Sequence, residues 1–152
     1  MFIGLNPSTA DEVDDDPTVR RCIAYARAWG FDALCMTNLF GLRATLPAVM
    51  RAHAAPVGPE NDARLADCAR RAALIVACWG NHGRHLDRDA AVLRLLRRHR
   101  LHCLKLTSAG TPNHPLYLRG DLRPRPFASP SGGGCRVLAA GEGASPRRPR
   151  YG

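Results

Sequence analysis

The sequence predicts an α/β fold: three layers, α/β/α, around a four-stranded parallel sheet of order 2-1-3-4. Short apolar runs alternate with segments whose apolar residues recur at helical spacing, in the order β-α-β-α-β-α-β. Parallel neighbours require right-handed crossovers, which place helices on both faces of the sheet. At 152 residues, 45% apolar and 23% charged, the chain has room for one core and the composition of a folded soluble protein.

Each element has a local cause. Residues 1–5 (MFIGL) form a buried strand that runs into Asn6 and Pro7. Asp16 caps a first helix with Pro17 in its first turn; Val19, Cys22, Ile23 and Ala26 make its apolar face, and Gly30 ends it. Residues 33–37 (ALCMT) are the second strand, followed by Asn38 and a long loop through Phe40, Arg43 and Pro56. A second helix begins near Pro59, with Leu65, Cys68 and Ala72 on one side, and leads to the strongest strand, 73–78 (ALIVAC). Trp79, Gly80 and Asn81 end that strand. Residues 87–99 form a third helix with Ala90, Leu93 and Leu96 in line, and 102–106 (HCLKL) a fourth strand.

One α/β domain therefore spans residues 1–120. Residues 121–152 are rich in Pro, Gly, Ser and Arg without sustained periodicity, and are expected to be a disordered tail. The net charge of +9 divides as +4 over 1–118 (15 basic, 11 acidic) and +5 over 119–152 (7 basic, 2 acidic). Most of the excess sits in the tail and says little about a folded binding face. No apolar run approaches the ~20 residues of a membrane helix, and residues 1–10 lack a basic n-region. The expected address is the cytoplasm, with no membrane partner. The six cysteines have no C-x-x-C spacing and are expected to be small buried hydrophobes. A metal set of Cys78, His82, His85 and Cys103 matches no zinc spacing, so no metal or cofactor is expected.

On open parallel sheets, ligands bind beyond the carboxyl ends of the strands. Those ends carry Asn6, Ser8 and Thr9 after the first strand, Asn38 after the second, Trp79 and Asn81 after the third, and Thr107 through Asn113 and His114 after the fourth. Carboxamides, hydroxyls and an imidazole on four segments suit a pocket for a planar polar ligand.

The blocks GLNPSTAD (4–11), DDPTVRRC (15–22), TNLFGLRAT (37–45), VGPEND (57–62), CWGNHG (78–83) and NHPLYL (113–118) resemble the bacterial domain-of-unknown-function family numbered 1643, over residues 1 to about 120. More distantly, the same blocks in the same order resemble the uracil-DNA glycosylase superfamily. That second resemblance implies chemistry. GLNP is similar to the mismatch-specific branch, in which an Asn positions the attacking water; the resemblance implies that role for Asn6. Asn38 in TNLF stands where a carboxamide reads the flipped base. His114 in NHPLY corresponds to the histidine that stabilises the departing base.

The resemblance further implies base contacts from Phe40, Trp79 and Asn81. Contacts to nucleic acid are implied for Ser8, Thr9 and Arg43, with Leu116 or Tyr117 as an apolar wedge. The sequence departs from that pattern in two places: Ser8 and Thr9 replace the bulky aromatic after Pro7, and Leu116 replaces the serine after His-Pro. Phe40, Tyr25 and Trp79 compete as the stacking aromatic. Plainer readings stand beside these roles: Asn6 as a turn residue, Trp79 as core, and His82, His85, His99 and His102 as surface or satisfied histidines.

Three functions follow as expectations. The first is a glycosylase-like hydrolase acting on DNA, or on another nucleobase-containing ligand. The second is a non-catalytic nucleic-acid or nucleotide-binding module. The third is a Mg²⁺-dependent phosphohydrolase using Asp11, Glu12, Asp14, Asp15 and Asp16. The sequence leaves oligomeric state open.

Overall fold

The computed structural model describes residues 1–7, 16–129 and 136–137. Strands β1 (Phe2–Gly4), β2 (Met36–Asn38), β3 (Ile75–Ala77) and β4 (Leu101–Cys103) are parallel in the order β2-β1-β3-β4. Helix α1 (Pro17–Ala28) connects β1 to β2, α3 (Asn61–Arg71) precedes β3, and α4 (Arg88–Leu95) precedes β4. Asp16 caps α1 as the sequence indicates, its Oδ1 accepting from the Thr18 N–H at 2.7 Å. Gly30, at φ 85°, turns the chain off the far end.

Alternation along each strand sorts the core into two halves. Phe2, Val76 and Cys78 pack with Cys22 and Tyr25 of α1 and with Leu104 and Leu118. Ile3 and Ala77 face the other way, onto Leu65 and Ala69 of α3, Val92 of α4 and Leu96 at its C-cap. Helices thus cover both faces.

Two expectations are corrected. The sheet is mixed and has more than four strands: β5 (Arg125–Ser129) pairs antiparallel with β4, and the two-residue β6 (Arg136–Val137) pairs with β5. Both fall in the stretch expected to be tail. Phe127 explains β5, because its ring is 3% exposed and meets Trp79 edge-on at 6.0 Å between centroids. One large apolar residue between prolines gives no periodic signal, so this strand exists through its pairing with β4. The long loop after β2 also holds a short helix, α2 (Pro47–Ala52), anchored by buried Met50. No helix among the described residues is long and apolar enough to cross a membrane.

Candidate functional site

Because β1 to β4 are parallel, the residues that follow them share one edge of the sheet. Asn6 lies two residues past β1, Asn38 ends β2, Trp79, Gly80 and Asn81 follow β3, and the segment leading to His114 follows β4. They do not all share one face.

Asn6 is half-buried, and its carboxamide nitrogen donates to two main-chain oxygens, Pro7 at 3.0 Å and Ala44 at 2.6 Å. The Ala44 N–H bonds Pro7 O at 3.0 Å, so the loop after β1 is tied to the loop after β2. With both N–H groups engaged, Oδ1 is left as a pure acceptor. Asn38 stands opposite Gly4 in the β1–β2 register. A Cβ on Gly4 would lie 2.7 Å from Asn38 Oδ1, so glycine leaves the room in which that carboxamide crosses the end of β1. Gly4 shares the face of Phe2, which places the Asn38 side chain on the α1 face.

His114 caps a 3-10 helix (Pro115–Tyr117) that packs on α1. Arg21 Nη2 donates to Leu118 O at 2.7 Å and Tyr25 Oη to Arg119 O at 2.5 Å, which hold this segment down. The imidazole Nδ1 accepts the Leu116 N–H at 3.4 Å, which assigns the ring proton to Nε2. Burial pushes the His114 pKa below the ordinary histidine value, while the nearby Asp16 carboxylate pulls it back up. The ring is therefore neutral near pH 7 and presents an Nε2–H donor.

The other candidates divide. Asn81 is exposed, but its Oδ1 accepts from Thr107 Oγ1 at 2.7 Å and Thr111 Oγ1 at 2.5 Å. With the Gly80 N–H on Pro112 O at 2.8 Å, these bonds lock the end of β3 to the loop after β4. Phe40 and Trp79 are 0% and 2% exposed in the core on the α3/α4 face, opposite Asn38. Trp79 also fills the space above Gly83, where a Cβ would stand 2.2 Å from its Cδ1. Tyr25, the third aromatic considered, is likewise fully buried. All three rings are buried by core packing. Arg43 is exposed beside the Asn6-bound loop, Leu116 is 37% and Tyr117 80% exposed, and the Tyr117 ring lies 5.5 Å from that of His114. Ser8, Thr9, Asp11, Glu12, Asp14 and Asp15 lie outside the described residues.

Two features escaped the sequence. Asp16 carries a charge near His114 as well as capping α1. Arg88, only 5% exposed, donates from Nε to Leu39 O at 2.7 Å and pairs through Nη2 with Asp62 Oδ1 at 2.5 Å. Asn61 Nδ2 adds bonds to Asn38 O at 3.1 Å and Leu39 O at 2.8 Å. This network fixes the backbone that carries Asn38. Its signal was present, since Arg88 lies in line with Val92 and Leu96 on the apolar stripe of α4. Among the described residues, no group of three or more His, Cys, Asp or Glu is placed to hold a metal ion. Cys78 and Cys103 of the metal set considered are buried.

No solved structure and no curated protein matches the chain. A family profile, described as a protein of unknown function (DUF1643), matches residues 1–116. The match runs from β1 through His114 and into the segment that docks on α1, and on this ground the chain belongs to the DUF1643 family.

Proposed function

We propose that the protein is a hydrolase of the N-glycosidic bond in a damaged or modified nucleotide, with DNA as the first-choice substrate. The observation that carries this reading is an oriented acceptor and an oriented donor on the segments that follow β1 and β4: Asn6 Oδ1, whose carboxamide is oriented by the bonds of its nitrogen to Pro7 O and Ala44 O, and His114 Nε2–H, set by the Leu116 N–H on Nδ1. Glycosidic cleavage needs both. As the bond from sugar C1′ to the base nitrogen breaks, its electron pair leaves with the base; water adds to the oxocarbenium-like carbon, and the proton it sheds passes through solvent to the anionic base. Asn6 accepts a hydrogen bond from that water and orients it. His114 donates to an oxygen of the departing anionic base, an interaction that strengthens as the charge develops. Asn38 reads the base edge through its carboxamide.

Tyr117 supports the reading as the exposed aromatic next to His114, and it replaces buried Phe40 and Trp79 as the ring beside the base. Leu116 and Arg43, with Ser8 and Thr9, contact the strand. The test is incubation of the full chain with DNA bearing deaminated, alkylated and hypermodified nucleotides, with mass spectrometry of the bases released. Release of a free base in the presence of EDTA is expected, and His114→Ala should lower its rate about 10²- to 10³-fold. DNA binding with no base released from any substrate would replace this reading with a non-catalytic binding module, and EDTA-sensitive phosphate release with a phosphohydrolase.

A further inference from the structure

At the amino edge of the sheet, opposite the edge that carries Asn6 and Asn38, two thiols face each other. Cys35 immediately precedes β2, Cys68 lies on α3, and Cys35 Sγ–H donates to Cys68 Sγ across 3.1 Å. Both are half-buried and line a cleft of about 500 Å³ together with Trp29, Phe31, Asp32 and Arg71. The other described cysteines, Cys22, Cys78 and Cys103, are at most 1% exposed.

The backbone holds both partners in place. Cys35 O accepts the Phe2 N–H at 2.9 Å, while α3 is seated by buried Leu65 and Ala69. From Asn61 to Cys68 the helix climbs about 10 Å, and from Asn38 back to Cys35 the extended chain covers about the same distance. Helix α3 is thus tied to edge strand β2 by the Asn61 bonds at one end and meets it through the two thiols at the other. The sulfurs need about 1 Å of travel to reach the disulfide distance of about 2.05 Å.

We propose that Cys35 and Cys68 form a reversible dithiol/disulfide site whose reactant is a low-molecular-weight disulfide, such as oxidised glutathione, entering through the cleft. Cys68 is the attacking sulfur, because Cys35 remains a thiol and donates to it; burial also holds the Cys35 pKa up. Cys68 loses its proton to solvent and attacks one sulfur of glutathione disulfide, whose S–S bond breaks to release one glutathione thiolate. Cys35 then gives up its proton and attacks Cys68 Sγ, expelling the second glutathione. Two electrons pass from the cysteines to the small disulfide, and the two released protons match the two thiolates formed. The product staples β2 to α3 and closes a loop between residues 33 apart in sequence.

The full chain, equilibrated over a series of reduced-to-oxidised glutathione ratios, is alkylated, mapped by peptide mass spectrometry and melted. The expected result is a Cys35–Cys68 cross-linked peptide as the first disulfide formed, a Tm higher by ~5 °C or more, and reversal of both by dithiothreitol. Cys35→Ser and Cys68→Ser should each abolish the cross-link and the Tm rise. Mapping of the unsubstituted chain decides the matter even if either variant fails to fold. A stable glutathione adduct that never resolves would overturn the proposal. So would a first linkage between the core neighbours Cys22 and Cys78 or to Cys135, or both thiols staying reduced in oxidised glutathione alone.

Discussion

The His114 imidazole makes two demands of its surroundings: a partner for Nδ1 and a neutral ring. The Leu116 N–H meets the first and burial the second, against the pull of Asp16. A histidine whose pKa is lowered on folding binds its proton more readily in the unfolded chain. Its contribution to stability is therefore complete above the unfolded value of about 6.5, and is lost as pH falls through the lower folded value. His102, lowered mainly by burial, acts in the same direction. Denaturation midpoints should accordingly fall from pH 7 to pH 5, and His114→Gln should flatten part of that slope; an unchanged slope would show that this ring is not held neutral. Gly4 supplies a second residue-scale prediction. Gly4→Ala drives a methyl to 2.7 Å from Asn38 Oδ1, and should cost about 1–3 kcal/mol by chemical denaturation while also displacing the carboxamide proposed to read the base.

Among the elements, the tie between α3, α4 and the end of β2 produces an asymmetry. The Arg88 side chain is 7% exposed, whereas that of Asp62 is 57% exposed. Asp62→Ala leaves a buried guanidinium with Leu39 O as its one remaining partner among the described residues, for an expected loss of about 2 kcal/mol or more. Arg88→Met removes the buried charge and keeps its volume; Leu39 O still has its bond from Asn61, and Asp62 is hydrated. That substitution should cost about 1 kcal/mol, less than the change at its exposed partner. Urea denaturation of the two variants reverses the usual expectation that the buried residue is the costlier one to replace, and the opposite ranking would refute the argument.

For the whole molecule, β5 ties residues beyond 120 to the sheet. Phe127 closes the α3/α4 half of the core against Trp79, and β5 completes the hydrogen bonding of β4 on its outer side. Phe127→Ala should cost about 3–5 kcal/mol, a large share of the 5–15 kcal/mol typical of a domain. Truncation after Asp121 removes this ring and the strand together, and should lower Tm by roughly 10 °C or abolish cooperative melting. Unchanged melting of the truncated chain would show that β5 adds nothing to stability.

The sequence by itself determined the parallel part of the fold. Runs such as ALIVAC and the Asp16-Pro17 helix start act through neighbours in the chain, so their signal is local and readable. It also sent the residues just after each strand, Asn6 and Asn38 among them, to one edge, because parallel strands end at the same side; His114, eleven residues past β4, is placed by the bond of the Asn113 N–H to Lys105 O and by packing on α1. Tertiary structure alone decided three things. Strand β5 exists through its pairing with β4 and the burial of one ring. Trp79 turns into the core because strand alternation sets its face and it fills the space above Gly83, Phe40 joins it there beside Leu39 once the chain has left β2, and Asn38 turns toward α1 because Gly4 makes room for it. Cys35 and Cys68, far apart in the chain, meet because residues 61–68 of α3 and residues 38–35 of the extended chain span about the same distance from the Asn61 bonds. Each of these is a relation between distant segments, and local spacing carries no information about which distant groups will touch.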